Sequence, residues 1–287
     1  MGLPLWAGSP VPAILHAQIA LDRAGFSPGE IDGRGGANFQ RALRGFQQQH
    51  QLSPNGKLDA ATLALLRQLV TEPLVPYRLT DADVSGPFEK VPADMMEQGK
   101  LKTLGFQSTL EALGERFHIS PQFLRKLNRG KPLETGAEWM VPDIGDPVKG
   151  KAASIEVSDA TKTLLVRGAG GKLLAQYPVT TGSEHDPLPI GTWKVTGVYR
   201  NPDFFYNPEL FWDADPQHSK TKIAPGPNNP VGAVWIDIDK EHYGIHGTPE
   251  PSQVGHVASH GCIRLTNWDA LELAGLVAKG VEVKLVP

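Results

Sequence analysis

The sequence predicts a multidomain protein: a small all-α module of three helices, a small α+β module, and a mainly-β C-terminal domain with a long lid loop. Three observations carry this. Apolar residues recur at helical spacing up to about residue 70. Short β-rich runs bounded by Gly, Pro and Asp take over after Lys151. The 287 residues exceed one ordinary domain, and 31 glycines with 25 prolines favour turns and shaped loops over a helical bundle.

Met1 to Pro12, rich in Pro and Gly, reads as a loose tail without the charged start and apolar middle of an export signal. The first module is expected over residues 13–72. Ile14, Leu15, Ile19 and Leu21 mark its first helix, which ends at Gly25; Phe39, Leu43 and Phe46 mark the second. Leu63, Leu66 and Val70 mark the third, after the turn Ser53-Pro54-Asn55-Gly56, with Asp59 as N-cap. Pro73, Pro76, Pro87 and Pro92 interrupt the periodicity, so residues 73–104 read as a linker with some structure of its own. A second unit is expected over 105–146: a helix marked by Leu110, Leu113 and Phe117, another opened by Ser120-Pro121, and a returning strand at Trp139-Met140-Val141-Pro142.

The β domain is expected over 151–287. Its strands are Ile155–Ser158, Thr163–Val166, Leu173–Tyr177, Thr192–Val195 and Val234–Ile238, with a hairpin turn at Gly168-Ala169-Gly170-Gly171. A helix at about Asn267–Ala278 and a strand over Val281–Val286 close it. Arg200 to Pro230, dense in Pro, Asn and aromatics, is long enough to be a lid or binding loop. Phe204, Phe205, Tyr206 and Trp212 are expected to wall its cleft.

A net charge of −3 gives no broad attraction to nucleic acid or anionic lipid. No apolar run reaches a membrane span, so no integral membrane segment is expected. The single cysteine excludes an intrachain disulfide and fits either a cytosolic protein or an exported one that keeps a lone thiol for chemistry.

That cysteine lies in Ser259-His260-Gly261-Cys262-Ile263-Arg264-Leu265, whose serine follows His246 of Gly244-Ile245-His246-Gly247-Thr248 by thirteen residues. Thiolate is the nucleophilic form, and a thiol is mostly protonated at neutral pH. In an extended segment His260, Cys262 and Arg264 would point the same way, lining one wall with a base, a nucleophile and a cation. Gly261 leaves the backbone open for amide N–H groups to meet a substrate oxygen, and His246 could add a second imidazole from a neighbouring strand. A lone Cys is equally a small buried hydrophobe. A zinc site from Cys and two His lacks the paired spacing of structural zinc, and neither metal nor cofactor is expected.

At these residues the sequence resembles the L,D-transpeptidases with the YkuD-type catalytic domain. His246, Ser259 to Leu265 and the lead-in Ile223-Ala224-Pro225-Gly226-Pro227-Asn228-Asn229-Pro230-Val231-Gly232 carry the resemblance, over roughly Ser154 to Pro287. It implies Cys262 as nucleophile, His260 as proton acceptor and donor, ordering roles for His246 and Ser259, and an oxyanion hole at the Gly261 and Cys262 amides. It further implies Arg264 as anchor of a substrate carboxylate, with Tyr206, Trp212 and Asn229 along the substrate. Ala17–Leu21, Ile31-Asp32-Gly33, Phe46-Gln47 and Gly56–Thr62 resemble a type 1 peptidoglycan-binding module. Thr109–Asn128, Gly136 and Val141-Pro142 resemble a LysM repeat, although the usual first strand is not evident near Leu101 to Phe106.

The implied reaction is exchange at a stem peptide: a Cys262 thioester, loss of D-alanine, then transfer to an amine of a second stem or of an acceptor protein. Hydrolysis by the same nucleophile, as a carboxypeptidase or amidase, shares the first half-reaction. A non-catalytic wall binder would rest on the two binding-like modules alone. The partners implied are stem peptides and glycan strands, and the location is periplasmic or otherwise exported, in a mature form whose signal has been removed.

Overall fold

The computed structural model describes residues 11–287; the tail and absent leader pattern read over Met1–Pro12 lie, but for their last two residues, outside the described residues. Three helices open the chain: α1 (Ala13–Arg23), α2 (Ala37–Gln49) and α3 (Ala60–Leu69). The Asp59 carboxylate caps α3 by accepting from Thr62 N. Two buried amides fix the turns. Gln47 Oε1 accepts from Gly56 N at 2.9 Å while its Nε2 donates to Lys57 O at 2.9 Å, and Gln18 Oε1 accepts from Gly33 N at 2.8 Å. Each side chain pairs turn backbone groups that no helix or strand satisfies.

The stretch read as a linker with some structure of its own carries three regular elements. It holds β1 (Leu74–Arg78), α4 (Asp81–Val84) and α5 (Met95–Gln98). Strand β1 pairs antiparallel with β2 (Glu138–Pro142), Leu74 opposite Pro142 and Arg78 opposite Glu138. Pro76 is tolerated because the two-stranded sheet leaves one side of β1 unpaired. Helices α6 (Thr109–Arg116) and α7 (Pro121–Leu127) start at the Ser108 and Ser120 caps. No strand forms near Leu101 to Phe106; the strand that pairs with β2 is β1, separated from α6 by α4 and α5.

The first two units are not separate beads. Leu15, Ile19 and Ile31 of the first share one core with Leu113, Ile119, Leu124 and Trp139 of the second. Ile31 N donates to His118 O at 2.8 Å and Ser120 N to Ile31 O at 3.0 Å, joining them by backbone. Each fully buried Leu or Ile stabilises by roughly 1.5–3 kcal/mol.

The C-terminal domain is an eight-stranded sheet in the order β11-β10-β9-β6-β12-β3-β4-β5. In chain order these are β3 (Ser154–Ser158), β4 (Thr163–Arg167), β5 (Leu173–Pro178), β6 (Gly191–Arg200), β9 (Val234–Ile238), β10 (Gly244–His246), β11 (Ile263–Arg264) and β12 (Glu282–Val286). Helix α8 (Asn267–Leu276), capped by Thr266, packs Ala270, Leu273 and Leu276 into its core. The sheet curls until its ends meet. Just past β5, Thr180 bridges to Arg264 of β11, with N–H···O bonds of 3.0 and 2.9 Å in the two directions.

The lid contains a small hairpin, β7 (Phe204–Tyr206) with β8 (Thr221–Ile223), too short to register as strands in the sequence. It packs on the α4–α5 insert: Tyr206 and Ile223 share a core with Leu104, flanked by Met95 and Leu101. His218 ties the two, receiving or donating at 3.0 Å to both Tyr206 Oη and Asp94.

Candidate active site

Strands β10 and β11 run parallel, placing Ile245 beside Ile263 and His246 beside Arg264. Cys262 sits one residue before β11, half-buried. Its Sγ lies 3.7 Å from the carbonyl oxygen of His242. Burial pushes the thiol up; the Gly244 N–H and the Arg264 guanidinium pull it back in part, and the Asp186 carboxylate opposes them.

The loop before it is closed by Ser259. Ser259 Oγ donates to Cys262 O at 2.6 Å, and Ser259 N donates to Thr181 O at 2.8 Å across the sheet's seam. Gly261 has φ +98°, a conformation that favours glycine, and an added Cβ would come within 2.7 Å of the Tyr243 ring. Among the described residues the N–H groups of His260, Gly261 and Cys262 bond to no other loop and to no side chain.

The two imidazoles are held differently. His246 is buried, and its Nδ1 lies 2.6 Å from Gly247 O. A carbonyl only accepts, so Nδ1 carries the proton and Nε2 presents a lone pair. Burial, then the Arg264 guanidinium, lowers its pKa to about 3 against the raising effect of Gly247 O, so the ring is neutral at physiological pH. Trp235 stacks on it at 5.5 Å.

His260 turns to the lid. Its Nε2 is 2.9 Å from Asp213 Oδ1, and it meets Phe211 edge-on at 5.3 Å. Among the described residues neither imidazole is hydrogen-bonded to the thiol. This corrects the expected His260–Cys262 pair. The alternation that would align them needs an extended chain, whereas Gly261 turns the backbone between them and β11 begins only at Ile263.

Arg264 lies beside both Cys262 and His246, and its buried Nε has no partner among the described residues. Trp212 stands at the lid tip, largely exposed, stacked on His185 at 4.5 Å and 5.9 Å from His260. Two expected substrate residues face elsewhere. Tyr206 packs the lid's own core. Asn229 is fully buried as a turn staple, its Nδ2 donating to Ala224 O at 2.8 Å and its Oδ1 accepting from Val231 N at 2.9 Å. Phe205 is solvent-facing beside Lys222.

Sequence reasoning missed Asp186, Asp213 and Tyr243. The phenol of Tyr243 lies close enough to be raised by burial, by Asp186 and by Cys262 in turn. No spacing pattern marks these residues, because each arrives from a loop whose path the local sequence does not fix. Among the described residues no group of three or more His, Cys, Asp or Glu is set to hold a metal ion.

Residues 152–285 match the family model described as the L,D-transpeptidase catalytic domain, of the YkuD type. Residues 11–66 match one provisionally described as a peptidoglycan binding domain. Two relatives carry the provisional name L,D-transpeptidase YkuD. That of Bacillus licheniformis is 30% identical over 183 residues, covering 62% of this chain and 94% of the relative. That of Bacillus subtilis is 30% identical over 179 residues, covering 62% and 93%. A solved L,D-transpeptidase from Mycobacterium smegmatis overlies 54% of this chain and 75% of its own at 18% identity, with a TM-score of 0.38.

Proposed function

Because the chain belongs to the L,D-transpeptidases with the YkuD-type catalytic domain, we propose that its Cys262 thiol exchanges acyl groups on peptidoglycan stem peptides with His246 as the base. One observation carries the choice of base: Gly247 O fixes the His246 proton on Nδ1, leaving Nε2 as acceptor on the strand beside the thiol, while His260 is engaged by the lid. His260 then governs access.

The thiol is raised and the imidazole lowered, so the resting pair is neutral and the proton moves as the bond forms. Cys262 Sγ attacks the carbonyl carbon of the third residue of a donor tetrapeptide stem as its proton passes to His246 Nε2. The oxyanion meets the unengaged N–H groups of Gly261 and Cys262. Collapse expels D-alanine, whose amine takes that proton, and leaves a thioester. An acceptor amine attacks the thioester, its proton returns through His246, and Cys262 is regenerated as thiol. Water in place of the amine gives a free carboxylate, the carboxypeptidase outcome.

Arg264 suits a donor carboxylate, its buried Nε lacking a partner. Such a carboxylate would offset the guanidinium charge that lowers His246, so substrate binding itself makes the base stronger. The N-terminal module supports attachment to the wall. The strand–helix–helix–strand order β1-α6-α7-β2 supports a LysM-like reading of the second unit. A wall substrate supports a location outside the cytoplasmic membrane, in the periplasm or exported; no helix among the described residues is long and apolar enough to cross a membrane.

Intact-mass spectrometry of the protein with a defined tetrapeptide donor, with and without an acceptor amine, tests this. An adduct lacking D-alanine on the unmodified chain and none on Cys262→Ala is expected. Equal turnover by Cys262→Ala would overturn it.

A further inference from the structure

A groove of about 550 Å³ opens where all three units meet, away from Cys262. The first module gives it Glu30 and Arg34, α7 gives Gln122, Phe123 and Lys126, and the segment before the nucleophile loop gives His256. None of these five polar side chains bonds to another protein group among the described residues. Glu30 is half-buried there without a partner, held up to about 7 by burial and by Asp32. A half-buried carboxyl with no protein donor keeps hydrogen-bonding capacity for whatever enters the groove. The walls are held rigidly. Asn38 Nδ2 donates to Val254 O at 2.8 Å, tying the first module to the catalytic domain, and Gly33 sits so close to Phe123 that a Cβ would meet its ring at 2.7 Å.

We infer that this three-unit groove binds the glycan strand that bears the donor stem, seating an uncharged N-acetylated saccharide. This rests on the proposed activity and names where its polymer lies. The chemistry of the walls selects the ligand. Carboxyl, guanidinium and ammonium groups stand together, so a polyanion would face Glu30 and Asp32, and an acyl chain would find polar walls. Hydroxyls that both donate and accept suit the mixed set, the acetamido group suits Gln122, and a sugar's C–H face suits Phe123. Position supports it too. His256 precedes Cys262 by six residues, so groove and thiol are at most about 20 Å apart along the chain. An extended stem spans roughly 10 Å to its third residue, the scale needed to lead from one to the other.

Gln122 and Lys126 lie on one exposed face of α7, so replacing both leaves the core intact. For Gln122→Ala/Lys126→Ala in the full chain, the KM for a disaccharide-tetrapeptide donor should rise about tenfold with kcat unchanged, the cost of one or two lost hydrogen bonds. The KM for the free tetrapeptide should stay as it was. Equal KM changes for both donors, or none, overturn the groove assignment while leaving the transfer reaction standing. If the unmodified chain turns over neither donor, the proposed reaction fails and the groove is judged by calorimetric titration with tetra-N-acetylchitotetraose. Saturable binding weakened about tenfold in the variant supports it, and no saturable heat overturns it.

Discussion

The strand floor of the cleft and the lid above it each hold one histidine near Cys262, and they restrain it by opposite means. His246 is fixed by its own backbone: buried, stacked on Trp235, its tautomer set by the next residue's carbonyl. His260 is fixed by a contact 47 residues away in sequence, the Asp213 carboxylate at the lid tip. The first restraint persists whenever the sheet is folded. The second exists only while the lid is down. A base needs the first kind of restraint and a gate the second.

The largest expected effect tests that division. His246→Gln should cut kcat by on the order of 10²–10⁴-fold, the range for a lost general base, whereas His260→Gln should cost far less and chiefly in KM. The reverse ranking, measured with a tetrapeptide donor, would transfer the base role to His260. Next, Gly261→Ala should lower kcat on the order of 10²-fold. The new methyl collides with Tyr243 and shifts the amides and the thiol by a fraction of an ångström or more, and circular dichroism should show the fold retained.

Asp213→Ala should release the lid and speed iodoacetamide labelling of Cys262 at pH 7.5 by up to about fivefold, the value of a partly exposed ion pair. A slower reaction would show the lid to be assisting the thiol. In the unmodified chain the labelling rate should go on climbing above the usual thiol range, because burial raises Cys262. A plateau near neutral pH would reveal a resting ion pair.

How much of this was legible follows from how local each signal is. Strands β3, β4, β5 and β9 and the caps Asp59 and Ser120 are written within a few neighbouring residues. The nucleophile was legible because Cys262 is the single cysteine and its neighbours form a dense motif. Which way His260 turns was not legible, because alternation does not carry side-chain direction across Gly261, where φ is positive. Strand β1 was missed because its partner lies more than 60 residues away and two prolines interrupt the segment. Asp213 and the Thr180–Arg264 bridge depend on how distant loops close, which periodicity does not encode.

The smallest effect concerns the junction of the units. There Ser27 Oγ donates to Asp269 Oδ2 at 3.0 Å, and burial pushes Asp269 and Glu115 each up to about 8. A carboxyl raised by folding holds its proton more tightly folded than unfolded. Its contribution is complete below the unfolded value near 4, shrinks as pH rises toward 8, and is constant beyond. His118, raised above its usual value beside Asp22, contributes in the same sense. The melting temperature should therefore drop by roughly several degrees between pH 5 and 8. Asp269→Asn should flatten that slope, and an unchanged slope would detach these acids from the stability of the junction.

The apolar seam between the first two units makes the chain indivisible for protein engineering. A shortened enzyme starting after residue 72 would keep Leu113, Ile119, Leu124 and Trp139 but lose the Leu15, Ile19 and Ile31 surfaces that cover them. Its exposed greasy face would invite self-association, and grafting a foreign wall-anchoring domain in place of the native one would require recreating that same complementary surface.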